Sequence, residues 1–424
     1  MSAVPAVTTQ RESIENPVAE PRRLPVERRW QVEILRGGSE IIEQLAAEWQ
    51  ALCREGNYNK PFYRPEWFRA FLHAFAPEKQ LWLVTIRGQG RLAAILPLIH
   101  EQDSVLGLRV NRLCGLANDH SPRFDMIHGP SVSAQEAAAE VWRVLAAQAE
   151  WDIFKAPNVP VGGAFEWILR AAAQDGYPTG RWESLRSPFI ALPETGDLLT
   201  ARVGDTNSKF RANIRRRKRK LTHRGMISLR RIDKADPAFL EKFYCLEQSG
   251  WKGRTGSAIN CRINTRKFYD ALAREAESQR YLSLYFLEVD GHPVAGHFGL
   301  AHEGVYYCSK VGYDERWHTY SPGQLLVEAV LRDCMARGLH EFDFVGPEME
   351  WKTDWTSRAR SHAWCFVYAR SLKARLLHGV KFRLISLAKQ LLGRGLDRRR
   401  ETRRAEGSGR CSRFDRDLVG SHST

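Results

Sequence analysis

Residues 281–302 read YLSLYFLEVDGHPVAGHFGLAH, and residues 81–100 read LWLVTIRGQGRLAAILPLIH. Each is an apolar strand, a tight glycine turn and a second apolar strand. The pair Asp290-Gly291 is a hairpin signal, because a two-residue type I′ turn needs positive φ at both central positions. Aligning the two stretches puts Gly90 on Gly291, Ala93 on Val294 and Ala94 on Ala295. A helix-like stretch precedes each: FYRPEWFRAFLHAF (62–75) in the first case, RKFYDALAREAESQ (266–279) in the second. The same order of helix, strand, turn and strand therefore recurs, which predicts a chain of two related halves.

Beyond the second hairpin, GVYYCSKVGYD (304–314) reads as a further strand, followed by the loop DERWHTYSPGQ. An amphipathic helix, LLVEAVLRDCMARG (325–338), comes next with Gly338 as its stop. HEFDFVG (340–346) and HAWCFVYA (362–369) are the last strands. Helix-strand-strand-strand-helix-strand-strand predicts an α/β protein with a mixed sheet wrapped by helices, and no dinucleotide-binding or P-loop glycine pattern falls where those folds need it. The expected division is a disordered leader over 1–28, an N-terminal half over 29–195, a C-terminal domain over 196–369, a basic amphipathic helix over 370–395 and a disordered tail over 396–424.

The chain has 424 residues and a formal net charge of +15. That charge is local. Residues 206–225 (TNSKFRANIRRRKRKLTHRG) carry nine Lys/Arg and no acid, and residues 370–404 carry twelve against Asp397 and Glu401, so the remainder is net acidic. No apolar run is long enough for a membrane span, and the first residues lack the order of a signal peptide, so a cytoplasmic location is expected. Eight cysteines stand singly, without C-x-x-C pairs, so they read as small buried hydrophobes, with no metal site expected.

The chemistry-bearing candidates concentrate in the second half. Ser321-Pro322-Gly323-Gln324 sits between a strand and a helix, with Ser321 as N-cap, Pro322 at the first helical position and Gly323 allowing close backbone approach. A helix N-terminus of this kind binds phosphate. Lys310 inside an aromatic strand suits an oxyanion or a phosphate. Asp314 and Asp343, at strand ends, are candidate bases, and Tyr313 or Tyr320 a candidate proton donor. Trp251-Lys252 and Lys352 with Trp355 read as loops over an acceptor cleft. In the first half, Asp119, His120, Arg123 and Asp125 form a dense polar set that suits acceptor binding or an interface between halves; with Ser121 it makes a weaker hydrolytic triad. The run Arg215 to Lys220 reads as a helix with Phe210, Ile214 and Leu221 buried and its cations, Arg215 and Arg216 among them, cradling a polyanion. In 370–395, Leu372, Leu376, Val380, Leu384, Leu387 and Leu391 share one face, for a membrane surface, a partner or the body of the protein.

Trp251-Lys252-Gly253-Arg254, Lys310-Val311-Gly312-Tyr313-Asp314, the turn Tyr320 to Leu325, and Phe342-Asp343-Phe344 with Lys352 and Trp355 resemble the GNAT-type acetyltransferase domain of CelD-like proteins, which are associated with bacterial cellulose and exopolysaccharide synthesis. Pro65-Glu66-Trp67-Phe68 and the run Asn118 to Asp125 resemble that family's N-terminal part, and the tandem arrangement is similar to the FemABX peptidyltransferases, which take an aminoacyl-tRNA donor. The resemblance implies two tandem GNAT-like folds and an enzyme that moves an acyl group from acetyl-CoA or another acyl-CoA to an amine or hydroxyl. A small-molecule or nucleotide-linked acceptor is expected, with peripheral contact at the inner membrane face through 370–395. Tyr320-Ser-Pro-Gly-Gln-Leu departs from the GNAT pyrophosphate loop Gln/Arg-x-x-Gly-x-Gly/Ala, which leaves an acyl carrier protein or an aminoacyl-tRNA open as donor. A non-catalytic GNAT-like module that binds a nucleotide or a membrane synthase is the alternative; specific nucleic-acid binding, lacking any helix-turn-helix or zinc pattern, is not expected.

Overall fold

The computed structural model describes residues 29–193 and 208–384. The leader 1–28, the tail 396–424 and residues 385–395 of the basic segment lie outside them. The strands are β1 (Gln31–Gly37), β2 (Gln80–Gly88), β3 (Arg91–Val105), β4 (Leu108–Gly115), β5 (Ile127–His128), β6 (Ile153–Pro160), β7 (Thr179–Ala191), β8 (Ile227–Ile232), β9 (Leu284–Val289), β10 (His292–His302), β11 (Val305–Tyr313), β12 (Glu341–Asp343) and β13 (Ala359–Tyr368). The helices are α1 (Glu40–Glu55), α2 (Pro65–Phe75), α3 (Ala134–Ala146), α4 (Phe165–Gln174), α5 (Ser208–Thr222), α6 (Pro237–Gln248), α7 (Trp251–Arg254), α8 (Ile263–Ser278), α9 (Pro322–Ala336), α10 (Glu350–Thr353) and α11 (Leu372–Gly379).

The repeat extends to its defects. Gln89 and Gly90 have φ of 51° and 76°, Asp290 and Gly291 have 49° and 77°, so both hairpins close on the same left-handed pair. Each second strand then skips one residue in its ladder. Arg87 pairs Leu92 while Ile86 pairs Ala94, and Glu288 pairs Pro293 while Leu287 pairs Ala295. The bulged residues are Ala93 and Val294, the two that the sequence alignment superposes.

One mixed sheet runs β1-β2-β3-β4-β6-β13-β7-β12-β11-β10-β9-β8, with β5 pairing β3. It is antiparallel except for two short parallel pairings, Arg112–Cys114 with Ile153–Lys155 in the first half and Val305–Tyr307 with Glu341–Asp343 in the second. The halves exchange strands. β13, from the end of the chain, lies between β6 and β7, while the last residues of β7, Phe189–Ala191, pair with β12. β7, from the first half, is therefore hydrogen-bonded along one continuous strand to two strands of the second half.

The repeated helices α2 and α8 pack on each other. Trp67 and Phe75 both meet the Phe268 ring edge or face at 5.3 Å, and Arg69 donates to both Glu275 carboxylate oxygens at 3.0 and 2.6 Å. The start of α2 meets the end of α8, where Arg64 donates to Gln279 at 3.2 Å, so the helices are antiparallel. The largest apolar core forms around this pair and draws on both halves, from Ile41 to Ile127 and from Leu240 to Val345. Separate cores lie under α3 and α4 in the first half and under α5 and α9 in the second.

A buried ion cluster closes the exchange. Arg123 pairs with Asp343, which is fully buried and also accepts from Arg360 at 3.2 Å and from the Val345 N–H at 2.9 Å. Arg360 in turn makes a fork to Glu341 at 2.9 and 2.6 Å. The three elements that meet here are the loop after β4, β12 and the exchanged strand β13.

In the described part of the basic segment, Leu372 and Leu376 are exposed, and it is Ala374 and Leu377, with Phe382 beside them, that pack on Val110, Ile153, Phe366 and Tyr368. Leu372 and Leu376, one turn apart in α11, share the exposed side of that helix, and the segment turns to a π-helix at Val380–Leu384. Of the cysteines, Cys245 and Cys261 are exposed, against five that are buried; Cys411 lies outside the described residues.

Removing the carboxylate strands the Arg123 guanidinium in the interior, so Asp343→Ala is expected to destabilise the fold by about 3–5 kcal/mol in denaturant titration. A loss below about 1 kcal/mol would show that the cluster does not hold the exchange.

Candidate active site

The second parallel pairing opens after three residues. β11 and β12 pair only through Tyr307 and Asp343, after which Cys308–Tyr313 and Phe344–Gly346 diverge and form walls of a cavity of about 970 Å³. The first half contributes its own divergent pair, since Ala117–Pro122 beyond β4 and Lys155, Pro157 and Asn158 on β6 line the same cavity. The two halves therefore face one space.

β11 carries a bulge inside this wall. Lys310 pairs Phe298 and Cys308 pairs Gly299, so Ser309 is the extra residue. Parity along the strand flips there. Tyr306 and Cys308 belong to the core under α9, whereas Lys310 lies with its ammonium 5.7 Å from the Tyr269 ring of α8. Tyr313 returns to the α9 side, where a Cβ on Gly323 would sit 3.7 Å from its ring.

The turn Ser321–Gln324 lines the cavity at the start of α9. Pro322 is at the first helical position as expected, but Ser321 adopts the left-handed conformation (φ 52°, ψ 55°) and its side chain does not cap. No acidic residue stands in the first turn. Gln324 is turned toward the tryptophans: Trp355 Nε1 donates to its Oε1 at 2.5 Å, and its Nε2 donates to the Trp351 carbonyl at 3.3 Å.

Four lysines line the cavity, and Lys155 lies with its ammonium 4.5 Å from the Trp364 ring. Lys252 Nζ is 3.0 Å from Glu247 Oε1 and donates to the Val311 carbonyl at 2.8 Å. Lys352 donates to the carbonyls of Val345 and Pro347 at 2.7 and 2.9 Å. Burial, helped by the neighbouring ammonium groups, brings both Lys310 and Lys352 down to about 8. Glu247 is buried and its Oε2 accepts from the Ile259 N–H at 2.8 Å. His120 is flat against Phe75 at 5.5 Å and near Thr265 Oγ1 at 3.4 Å; burial holds it at about 3, hence neutral. His297, at the base of the cavity, is also pushed down to about 3 by burial.

Of the residues singled out in the sequence, Asp119, His120, Trp251, Lys252, Lys310, Tyr313, Ser321, Pro322, Gly323, Gln324 and Lys352 line this cavity. Asp343 does not, being enclosed in the ion cluster. Asp314 is spent on its neighbour: its side chain accepts from the Arg316 N–H at 3.0 Å and pairs with the Arg316 guanidinium, which holds it below the usual carboxylate range. Trp355 is a core residue, edge-on to Phe210 at 5.0 Å. Tyr320 packs on Trp317 at 5.8 Å. Arg215 and Arg216 are exposed on α5, whose Ile214 and Leu221 are buried against the α9 core. Asp125 accepts from the N–H groups of Ala164 and Phe165 at 3.0 and 2.7 Å, tying the loop to the start of α4. Ser121 Oγ has no hydrogen-bond partner, so no Ser-His pair forms and the triad is absent. Ser184, Asn158, Tyr269, His297, Ser309 and Trp364 also line the cavity. Their positions come from the bulge, the exchanged strand and the facing half, none of which has a local sequence signal.

This geometry agrees with the comparisons. Residues 208–353 match the family described as acetyltransferase (GNAT) domain. The second half carries a GNAT acyltransferase-like domain. Among solved structures the chain is similar to FemX, with 10% identity over 82% of this chain and 100% of that one and a TM-score of 0.52. It also matches the C-terminal domain of a putative lysylphosphatidylglycerol synthetase from Agrobacterium fabrum (10% identity, 79% and 95% covered, TM-score 0.48) and a tandem GNAT protein from the clavulanic acid biosynthesis pathway (12%, 80% and 100%, 0.44). A search of curated proteins returned no match. The fold is the expected one, a mixed α/β sheet built from two tandem GNAT-like halves. No described helix is long and apolar enough to cross a membrane, and the described residues hold no group of three or more His, Cys, Asp or Glu that could bind a metal.

The depressed Lys310 predicts a pH-dependent stability difference. Its folded value of about 8 lies below the ordinary 10.5, so between these limits the unfolded chain binds more protons and stability rises with pH. Lys310→Met is therefore expected to be more stable than the parent at pH 7, with the margin narrowing from pH 8 to 10.5 in guanidinium titrations. A margin constant with pH would place that lysine in water.

Proposed function

We propose that the protein transfers an acetyl or other acyl group from acyl-CoA to an amine or hydroxyl acceptor, with the donor at the Ser321–Gln324 turn and the acceptor on the side of the first half. The observation that carries this is the opening of the β11–β12 pair into the cavity that the N-terminus of α9 also lines. An unacidic helix start with an uncapped first turn suits a pyrophosphate, and Gly323 leaves room for it. The exposed cations of α5, which packs on α9, add positive field around that turn.

For the reaction, the acceptor nitrogen or oxygen attacks the thioester carbonyl, the C–S bond breaks, and the acceptor's proton must leave. Glu247 is the buried carboxylate in the cavity and is our candidate base. The bulge takes Ser309 out of the ladder, which frees a donor for the developing oxyanion. Tyr313, on the α9 side beside Gly323, is placed to return a proton to the thiolate. Trp251, Trp351 and Trp364 give the cavity aromatic walls of the kind that suit a sugar or nucleotide. This fits a small-molecule or nucleotide-linked acceptor and a place in polysaccharide or cell-envelope synthesis, as the CelD-like resemblance implies.

Calorimetric titration with acetyl-CoA is expected to show binding that Gly323→Trp abolishes; no binding by the parent, or unchanged binding by the variant, sinks the donor site. Glu247→Gln keeps the acceptor for the Ile259 N–H. It is expected to lower release of CoA from acetyl-CoA by about a hundredfold while leaving acetyl-CoA affinity unchanged. Equal rates would remove Glu247 from the mechanism.

A further inference from the structure

We infer that the acyl acceptor carries an anionic group, a phosphate or a carboxylate, and that Lys310 is its main partner on the α8 side of the sheet. The inference rests on the acyl-transfer reading only for the word acceptor; the anion site itself stands on geometry. Of the four lysines that line the cavity, Lys252 is engaged by Glu247, Lys352 by two carbonyls, and Lys155 lies over the Trp364 ring on the first half's wall. Lys310 has no hydrogen bond or ion pair among the described residues, and its contacts are an aromatic face and the field of other charges, Glu247 and Asp119 among them. A largely buried cation without a partner is costly, and a ligand anion would remove that cost.

Independent polar groups point to the same ligand. Ser121 Oγ, on a residue 1% exposed, lines the cavity from the first half without a hydrogen-bond partner, and Ser309 Oγ, on the bulge of β11, is likewise unpaired. Unsatisfied buried donors of this kind are rare without a ligand or water to meet them. The strand parity set by the Ser309 bulge separates this site from the donor. Lys310 faces α8, whereas the Ser321–Gln324 turn and Tyr313 lie on the α9 side. A donor threaded through the opening of β11 and β12 from the α9 side would present its acyl end toward Lys310, with its own phosphates left behind.

The test is calorimetric titration of the full chain with inorganic phosphate and, separately, with acetate, each repeated with acetyl-CoA already bound. Binding of at least one anion is expected, weakened about tenfold or more in Lys310→Met and retained in Lys310→Arg. Tighter phosphate binding assigns a phosphorylated acceptor, tighter acetate binding a carboxylated one. Should Lys310→Met fail to fold by circular dichroism, Lys310→Gln takes its place, with the same loss expected. Absence of both anions' binding, binding indifferent to the substitution, or displacement of the anion by acetyl-CoA would overturn the inference. Anion binding without any acetyl-CoA binding would instead overturn the donor site and leave this one standing.

Discussion

The carboxylate of Asp343 is the point on which the two halves depend. It ends the short strand β12, is fully buried, and is met by Arg123 from the first half and by Arg360 from the exchanged strand β13. Two guanidinium groups on one carboxylate leave excess positive charge, which Glu341 offsets by taking the other side of Arg360. Such a cluster contributes little by its presence, since desolvation nearly cancels attraction, but any incomplete version of it is strongly disfavoured. Its consequence is registration: β13 can enter the first half's sheet only where Arg360 reaches both acids. The cavity inherits that register, because Trp364 follows Arg360 on the same strand and lines it.

The cavity follows from hydrogen-bond bookkeeping. Parallel strands that pair for three residues and then separate leave backbone groups and side chains facing one another across a gap, and a domain normally covers such a gap at cost. Here both halves leave one, and the exchange of β7 and β13 sets them opposite each other. The bulge at Ser309 then assigns side chains to the two faces of the wall. Without the extra residue, Lys310 would fall with Tyr306 and Cys308 in the core under α9.

Much of this was legible in the sequence. The hairpins at Gly90 and Gly291, the helices that precede them and the turn before α9 were each local patterns, and the alignment of Ala93 with Val294 identified two matching bulges without knowing them to be bulges. What local patterns cannot carry is partnership over long separation. Asp343 and Asp314 look alike in sequence, each an acid at the end of an apolar strand, yet one is claimed by Arg123 from 220 positions away and the other by its neighbour Arg316. Glu247 gave the weaker signal of an acid inside a helix, and only the fold shows it buried in the cavity wall. In 370–395 the described leucines Leu372 and Leu376 stay exposed while Ala374 and Leu377 take the body, a choice between two faces of one helix that the periodicity left open.

Similarity between the halves makes their one large difference informative. The helix that follows the fourth strand in the first half, α3, begins at Ser133, whose hydroxyl accepts from the Glu136 N–H, and Glu136 itself brings a negative charge into the first turn and pairs with Arg29 and Trp30. That helix start is satisfied by its own sequence and repels an anion. Its counterpart α9 begins with an uncapping serine in a left-handed conformation, a proline and a glycine, with no acid in its first turn. The Gln324 and Leu325 amides close on the Ser321 carbonyl, which leaves the helix dipole and the Gly323 N–H for something outside the chain. On the proposed acyl-transfer reading, α9 rather than α3 is the helix end that suits a phosphate-bearing donor. The other cleft opens on the shared cavity through Asp119, His120, Ser121 and Asn158, and the proposed division between donor and acceptor sides rests on which copy spent its helix terminus on itself.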